Sequence, residues 1–327
     1  MDRSRIFADI RTHFGLDVRT WEPVSGGWLN RKYKITTNAG IFLVKQFSMQ
    51  RYSPEKLLSM EAALQRQRIL HTQGVPCPRI LTTDDRVIRH IDAQTAYMVM
   101  EFVCGFAADS TTVTPAQLQS LGEACAWMHK CLAALPCEAD AHYPLTGETI
   151  TARLHAHYRT HLQSSPLFPT ARIEEILSPE NTTAAYFDRL PKSLCHEDFS
   201  ADNLLFSEDA LAAILDFDRG QYSFPLHDAG RALMSFAFDE TALRTDLAAA
   251  FCRGYRTHLP LSSADLADAL RLTWYLEMPW WLQEEILHGH AKIRRFLREI
   301  LYLTENWDTI DRIAAEIISK ITQKECC

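Results

Sequence analysis

The pattern of apolar and polar positions over roughly the first hundred residues predicts mainly strands. Residues 20–24, 32–37 and 41–47 are strand-like, and residues 75–83 and 97–103 supply further strand material. Asn38-Ala39-Gly40, between the second and third segments, has the composition of a hairpin turn. These patterns predict a small antiparallel sheet.

A single long helix is predicted within this part of the chain. Ser53-Pro54-Glu55 supplies an N-cap and a first-turn proline, so a helix should begin there. Gly74, followed by prolines at positions 76 and 78, should end it after Gln73. The first part of the chain is therefore predicted to contain a sheet and one helix.

After Cys104-Gly105 the apolar residues recur at helical spacing. Thr114-Pro115-Ala116-Gln117 is a capping box before one such segment, and Ser262-Ser263-Ala264-Asp265 opens another. Residues 204–206 and 211–215 are the exception and read as a short hairpin. The pattern predicts an α+β chain of two lobes, a small sheet lobe over residues 1–103 and a larger, mainly helical lobe over residues 104–327.

Composition and charge narrow the possible partners. The 327 residues suffice for two lobes, and the formal net charge of −7 disfavours binding to nucleic acid or to an anionic membrane. No run of about 18 apolar residues suggests a membrane span, and the charged N-terminal segment differs from a signal peptide. The nine cysteines are scattered and lack a C-x-x-C pair, which disfavours a disulfide scaffold or a zinc site. A cytoplasmic monomer or homodimer is expected.

The strongest chemical pattern surrounds the predicted hairpin. Residues 196–203 fit H-x-D-x-x-x-x-N through Asp198 and Asn203, and Asp216 follows on the second hairpin strand. Phosphoryl transfer needs an oriented acceptor hydroxyl and magnesium on the phosphates, and these three side chains supply suitable oxygen atoms. The hypothesis is that Asp198 serves the acceptor while Asn203 and Asp216 hold Mg²⁺. The alternative is a solvated loop beside an unrelated acid.

Lys45 and Glu61 form a second candidate pair. Lys45 follows the apolar strand residues 41–44, and Glu61 lies on the apolar stripe of the predicted helix. An acid on such a face needs a buried partner, and Lys45 is the candidate. The pair could hold nucleotide phosphates or could be purely structural. Gly26 and Gly27 could let backbone amides approach phosphate, but without a full G-x-G-x-x-G pattern they fit a plain turn equally well.

Together these residues resemble the aminoglycoside phosphotransferase and choline kinase-like superfamily over nearly the whole chain. The resemblance implies a protein-kinase-like two-lobed fold and a reaction that uses ATP and Mg²⁺. It implies that Asp198 is the catalytic base, that Asn203 and Asp216 bind magnesium, and that Glu61 orients the phosphate-binding Lys45. Backbone groups at Met100, Glu101 and Phe102 would line the adenine. Glu197 departs from the pattern, because many relatives carry glycine there.

The acceptor cannot be named from the sequence. Trp280, Trp281, Glu277 and Glu284 lie in one stretch, where aromatic faces and carboxylates would suit a cationic acceptor. The alternative is that the tryptophans are core packing of a helix pair. A kinase for an amino sugar, an amino alcohol, homoserine or choline is expected. A nonenzymatic coat-type relative and a protein kinase are the alternatives. The protein kinase is disfavoured because this sequence lacks the activation segment of that class.

Overall fold

The structure is a computed structural model that describes residues 3–24, 30–137, 145–289 and 291–325. The chain forms two compact units. Unit 1 consists of Met1–Phe106 and Ala212–Gly220, and unit 2 consists of Ala107–Leu211 and Gln221–Cys327. A single boundary along the chain does not account for the return of residues 212–220 to unit 1. The assignment of nucleotide binding and acceptor binding to separate lobes stays a prediction.

Unit 1 is built on an antiparallel sheet, as predicted. The strands are β1 (Val18–Pro23), β2 (Arg31–Thr37), β3 (Gly40–Phe47), β4 (Arg89–Asp92) and β5 (Thr95–Glu101). Their spatial order is β1-β2-β3-β5-β4. Thr37 pairs with Gly40 at the end of the β2–β3 ladder, so the hairpin turn lies where Asn38-Ala39-Gly40 predicts it.

Residues 75–83 differ from the prediction. They contribute only isolated bridges, such as Ile80 with Met100, and no strand. Pro76 and Pro78 lack the N–H groups that a ladder needs, which explains why an apolar segment here does not extend the sheet. The segment still contributes to the apolar core, since the side chains of Val75 and Ile80 are buried.

Two helices, rather than the one expected, pack on the sheet of unit 1: α1 (Arg3–Phe14) and α2 (Pro54–Thr72). Ser53 caps α2 by accepting a hydrogen bond from the Lys56 amide, as predicted. Ile6 and Ile10 of α1 lie in one apolar cluster with Val44, whereas α2 contributes to a second cluster that contains Phe47. Side chains alternate along β3, so the two helices cover opposite faces of the sheet.

Unit 2 is mainly helical, as predicted. Thr114 with Gln117, and Ser262 with Asp265, form the two expected capping boxes at the starts of α3 and α9. The helices are α3 (Pro115–Ala133), α4 (Gly147–His157), α5 (Thr170–Ile176), α6 (Ala184–Arg189), α7 (Pro225–Phe236), α8 (Thr245–Tyr255), α9 (Ser263–Trp281), α10 (Glu284–Leu287), α11 (Ala291–Glu305) and α12 (Ile310–Glu325).

Short strands and turns carry the segments of chemical interest. A π-helical turn, Tyr158–Leu162, continues α4, and 3-10 turns cover Ala201–Asn203 and Phe217–Arg219. The remaining strands are β6 (Ser193–Cys195), β7 (Leu204–Phe206), β8 (Leu211–Ile214) and β9 (Gln221–Ser223), of which β6 and β9 pair antiparallel. The Ser207 amide donates to the Ala210 carbonyl oxygen at 2.8 Å, which closes the turn between β7 and β8.

Close helix crossings hold the core of unit 2. Gly122 of α3 and Gly254 of α8 face each other's helix so closely that a Cβ on either would overlap backbone carbonyl atoms. Every residue of α7 from Leu226 to Phe236 is buried, and α7 packs against α9. The polar side chains of α7 therefore need partners inside the unit. None of the helices in the described part of the chain is long and apolar enough to cross a membrane.

Candidate active site

Lys45 is the centre of a buried ionic cluster in unit 1. Its side chain is 2% exposed, and Nζ donates to Asp216 Oδ1 and to Asp218 Oδ2, the latter at 2.5 Å. Lys32, from the neighbouring strand, places its Nζ 3.4 Å from Asp216 Oδ2. Two ammonium groups and two carboxylates thus balance each other in charge.

Burial and pairing act in opposite directions on these groups. Burial alone lowers the pKa of Lys45, but the charges of Asp218 and Asp216 outweigh it and hold this pKa above its usual value. Burial raises the pKa of Asp216, yet the two lysines hold it below its usual value. For Asp218, burial and the neighbouring Asp216 raise the pKa. Lys45 and Asp216 are therefore both charged at neutral pH.

The segment that carries these aspartates is fixed by backbone contacts within unit 1. Asp216 has φ 63° and ψ 50°, in the left-handed region that non-glycine residues seldom adopt. The Ile214 amide donates to the Pro76 carbonyl oxygen at 2.8 Å, and Arg66 donates to the Gly220 carbonyl oxygen at 2.6 Å. Contacts on both sides of Asp216 hold it in this conformation, of the kind often found at functional sites.

The predicted pair of Lys45 and Glu61 is wrong for this structure. Glu61 Oε1 accepts the Val87 amide at 2.9 Å, and Oε2 accepts the Ile88 amide at 2.8 Å. Gln65, one turn along α2, donates to Glu61 Oε1 as well. Glu61 is therefore satisfied by two adjacent backbone N–H groups, while Lys45 has a closer pair of acids in Asp216 and Asp218.

The predicted adenine-lining residues end β5. The Met100 side chain packs in the apolar cluster of α2, the Glu101 amide donates to Arg79 O at 2.9 Å, and the Phe102 amide donates to Ile41 O at 3.2 Å. Those two amides are thus already used, whereas the next one, of Val103, has no hydrogen-bond partner within the described ranges. Gly26 and Gly27 lie outside the described residues.

In unit 2, the loop that begins at His196 is held by Asp228 of α7. Asp228, 0% exposed, accepts the His196 amide at 2.7 Å and the Glu197 amide at 2.9 Å. His129 of α3 completes the contact, with Nε2 3.1 Å from Asp228 Oδ2. Burial raises the pKa of Asp228, but the hydrogen bond from His129 outweighs it and leaves this pKa lowered. The start of the loop is thus anchored on a charged acid.

Asp198 and Asn203 are joined within this loop. Asn203 Nδ2 donates to the Asp198 carbonyl oxygen at 2.8 Å, and the Ser200 amide donates to the same oxygen at 2.9 Å. The Asp198 amide donates to His196 Nδ1 at 3.2 Å. Because the Asn203 amide group is oriented by its NH₂, its side-chain oxygen is directed elsewhere and is suitable for a cation.

Glu197, the residue next to Asp198, opens a buried ionic network. It has φ 66°, and its Oε2 accepts Gln221 Nε2 at 3.1 Å. His227 Nδ1 lies 3.9 Å from Glu197 Oε1, and His227 Nε2 lies 3.2 Å from Glu277 Oε1. Burial would lower the pKa of His227, but the two carboxylates raise it to about 10. A charged imidazole therefore lies between Glu197, in the loop that begins at His196, and Glu277 of α9.

Glu277 is fully used by this network. It is 8% exposed and accepts from Arg231 Nη1 at 2.7 Å and from Trp281 Nε1 at 2.9 Å. Arg231 also binds Glu299 of α11. The positive charges of Arg231 and His227 outweigh burial and lower the pKa of Glu277 to about 2. Its negative charge is neutralised inside the unit.

The other predicted acceptor residues do not gather around a cation site in the described ranges. Trp281 stacks on Phe296 with ring centroids 4.3 Å apart, and Glu284 Oε1 accepts the Ser165 hydroxyl at 2.9 Å. Trp280 is 62% exposed, and its ring is covered by Arg153 at 5.6 Å. The alternative that the tryptophans pack in the core holds for Trp281, whereas Trp280 lines an open cleft.

Within unit 1, the oxygen atoms of Asp216 and Asp218 are of the kind that a divalent cation prefers. Asp218 Oδ1 is buried and has no hydrogen-bond partner among the described residues. No group of three or more His, Cys, Asp or Glu side chains in the described ranges forms a complete metal site. Mg²⁺ usually keeps several waters and phosphate oxygens, so a partial set of carboxylate and amide donors is what it requires.

Lys32 and Val103 are the candidates that the sequence analysis missed. The β2–β3 ladder places Lys32 directly opposite Lys45. Like charges in that position are unfavourable unless an acid lies between them. The predicted hairpin turn already implied this register, so the signal for Lys32 was present in the sequence. Nothing in the sequence indicates that the backbone amide of Val103 lacks a hydrogen-bond partner among the described residues.

Three comparisons identify similar proteins. A family model described as "Phosphotransferase enzyme family" matches residues 20–261. A homoserine kinase of Rhodopseudomonas palustris (strain BisA53) is 25% identical over 263 residues, which cover 78% of this chain and 75% of the relative.

The similar solved structures are kinases. Amicoumacin kinase hAmiN, in complex with AMP-PNP, Ca²⁺ and Ami, has a TM-score of 0.67 at 17% identity and covers 95% of both chains. A microcompartment-associated aminopropanol kinase has a TM-score of 0.58 at 17% identity over 95% of this chain and 99% of the other. These likenesses show the protein-kinase-like fold expected from the sequence.

Proposed function

Because the chain belongs to the phosphotransferase enzyme family and is a small-molecule kinase, we propose that it transfers the γ-phosphoryl group of ATP to a hydroxyl group of an amino sugar, an amino alcohol or a related metabolite. The observation that carries the proposal is that each unit holds two of the proposed site residues in contact with each other. Unit 1 holds Lys45 on Asp216, and unit 2 holds Asp198 joined to Asn203. Each set matches one half of the requirements of phosphoryl transfer.

The proposed roles follow from the chemistry of each group. The acceptor hydroxyl oxygen bonds to the γ-phosphorus as the bond to ADP breaks, and Asp198 orients the hydroxyl and takes its proton. Asn203 and Asp216 are the proposed Mg²⁺ ligands, and Lys45 the proposed phosphate contact. Magnesium, when bound with ATP, neutralises charge on the phosphates. The Val103 amide is a suitable donor for an adenine nitrogen.

Lys32 and Lys45 now neutralise the carboxylate proposed as a metal ligand. We therefore expect Mg²⁺ and ATP to compete with these ammonium groups for Asp216. A nucleotide would offer the lysines phosphate oxygens in exchange, so the charge balance of unit 1 is kept.

The test is magnesium-dependent ADP formation with a panel of aminoglycosides, choline, homoserine, methylthioribose and hexosamines. We expect at least one acceptor to stimulate turnover, and Asp198→Asn to lose a factor of about 10² to 10⁴. ATP affinity, measured by calorimetry, should stay close to wild type in that variant. Asp209→Asn, an exposed acid in the turn after β7, is the matched control. Wild-type turnover in Asp198→Asn would overturn the assignment.

A further inference from the structure

The end of α9 and the helix α4 with its π-helical turn enclose an open cleft in unit 2. Its volume is about 390 Å³. Arg153, His157 and His161 line one side, and Trp280 and Gln283 line the other. None of the described lining residues carries a carboxylate. The charges that face this cleft are therefore basic, although the whole chain has a net charge of −7.

Two acids near this cleft in the sequence, Glu277 and Glu284, are bound to other groups. Glu277 is paired with Arg231 and His227, and Glu284 accepts the Ser165 hydroxyl. Glu197 acts on Arg153 directly, because its charge opposes the fall in the Arg153 pKa that burial causes. Contacts within unit 2 also connect Arg153 with this loop: Arg153 donates to the carbonyl oxygen of Leu276, next to Glu277, and His227 lies between Glu277 and Glu197. Glu197 precedes Asp198, the residue proposed to receive the acceptor hydroxyl.

Arg153 covers the aromatic surface that a cationic acceptor would use. Its guanidinium carbon lies 5.6 Å from the centroid of the Trp280 ring. One nitrogen, Nη2, donates to the Leu276 carbonyl oxygen at 3.4 Å. A guanidinium stacked in this way keeps other N–H groups for a planar anion, which a carboxylate can bind in a bidentate manner.

Two histidines add ring nitrogens to the same cleft. His157 Nε2 donates to the Leu282 carbonyl oxygen at 3.0 Å, so its second ring nitrogen, Nδ1, can donate to a ligand only when the imidazole is protonated. The rings of His157 and His161 stack with centroids 4.8 Å apart. Burial chiefly lowers the pKa of His157, and the charges of His161 and Arg153 lower it further. A negative ligand would relieve that repulsion.

We infer that the phosphate acceptor carries a carboxylate, and that Arg153 binds it in this cleft, with His157 and His161 beside it. A hydroxy amino acid is the class that fits, because it combines a hydroxyl acceptor with a carboxylate. An amino sugar has several ammonium groups that would meet Arg153 and the histidines, so this class is disfavoured. The inference rests on the proposed kinase function, and it replaces the cationic acceptor expected from Trp280, Trp281, Glu277 and Glu284.

The direct test compares acceptors that differ only in the carboxylate. L-Homoserine is paired with 3-amino-1-propanol, and L-threonine with (R)-1-amino-2-propanol, each amino alcohol being the decarboxylated amino acid. With ATP and Mg²⁺, we expect kcat/KM for at least one amino acid to exceed that of its amino alcohol by about 10- to 100-fold, the worth of a charge-assisted contact. An amino alcohol that is used equally well would overturn the inference.

Variants of Arg153 make the test specific. Arg153→Gln should abolish the advantage of the amino acid, chiefly through KM, and Arg153→Lys should keep part of it. Arg159→Gln removes an exposed arginine of the π-helical turn that does not line the cleft, and it should leave the advantage unchanged. An advantage that persists in Arg153→Gln would refute the role of this residue.

Calorimetric titration with the two amino acids, without nucleotide, separates this inference from the kinase proposal. Binding that Arg153→Gln abolishes, without any turnover with ATP, would support the carboxylate site and contradict the proposed kinase function. Turnover of amino alcohols or amino sugars alone would support the kinase and overturn the carboxylate site. The absence of both amino acid binding and carboxylate-dependent turnover would also overturn it.

Discussion

Replacing His227 with glutamine removes a buried cation from between two carboxylates, and we expect it to destabilise unit 2 in a pH-dependent way. His227 is 7% exposed and lies 3.2 Å from Glu277 and 3.9 Å from Glu197. Glu277 keeps Arg231 as a partner in the variant, but Glu197 keeps the neutral donors Gln221 and Cys195 and the weaker field of Arg153. A buried carboxylate that loses its cation is costly.

The size of the effect follows from the pKa of His227. The two carboxylates raise this pKa to about 10, whereas an unfolded histidine has a pKa of about 6.5. Each unit of difference corresponds to about 1.4 kcal/mol, so protonation of His227 stabilises the fold by on the order of 5 kcal/mol. Because the folded pKa is the higher one, this contribution is complete below about pH 6.5 and is lost as the pH rises through about 10.

Urea unfolding from pH 6 to pH 10 measures this dependence. The difference in unfolding free energy between wild type and His227→Gln should be largest at pH 6 and should shrink as the pH rises. His90→Gln, at an exposed position of β4, is the control and should show a small and pH-independent difference. A difference for His227→Gln that stays constant across this range would refute the idea that a charged imidazole bridges Glu197 and Glu277.

Three further substitutions test other parts of the structure. Asp216→Ala should weaken magnesium-dependent ATP binding roughly tenfold or more, and an unchanged affinity by calorimetry would count against a metal role. Glu61→Gln leaves one backbone N–H without its acceptor, so thermal unfolding should show a loss of about 1–3 kcal/mol with ATP affinity retained; lost affinity at full stability would restore Glu61 as the partner of Lys45. Gly122→Ala would force a methyl group onto the Phe251 carbonyl and should cost about 1–3 kcal/mol or more, whereas wild-type stability would show that the helix crossing can relax.

Local signals in the sequence predicted much of the fold. Ser53, Thr114 and Ser262 begin helices where their capping patterns place them, because a cap is satisfied by residues three positions away. The turn at residues 38–40 likewise sets the β2–β3 register without distant contacts. One helix that was not predicted and one predicted strand that does not form show the limits of apolar content as a guide.

The helix α1 had a signal, since Ile6, Ile10 and Phe14 recur at a spacing of four residues, as one face of a helix requires. Residues 75–83 were predicted to form a strand and do not form one. They are apolar enough for a strand, but Pro76 and Pro78 remove the backbone donors that a strand needs. The spacing of the apolar residues in α1, and the missing backbone donors in residues 75–83, were thus better guides than apolar content.

Pairings in the candidate site were less predictable than residue types. The position of Glu61 on α2 fixes where its side chain points, but its partners, Val87 and Ile88, lie 26 and 27 residues further along the chain. Lys45 meets acids 171 and 173 residues away. Helical periodicity describes one element, and it carries no information about which distant element packs on it.

The charge at the cleft likewise depends on which residues pair and not only on which residues are present. Glu277 was expected to attract a cation because it is an acid near tryptophans, yet Arg231 and His227, 46 and 50 residues earlier in the chain, neutralise it. Arg153 keeps its positive charge next to the exposed Trp280 instead. A binding site has the charge that remains after the buried pairs are complete, and at this cleft that charge is the guanidinium of Arg153. An acidic protein can therefore present a basic cleft, which is proposed here to select a carboxylate.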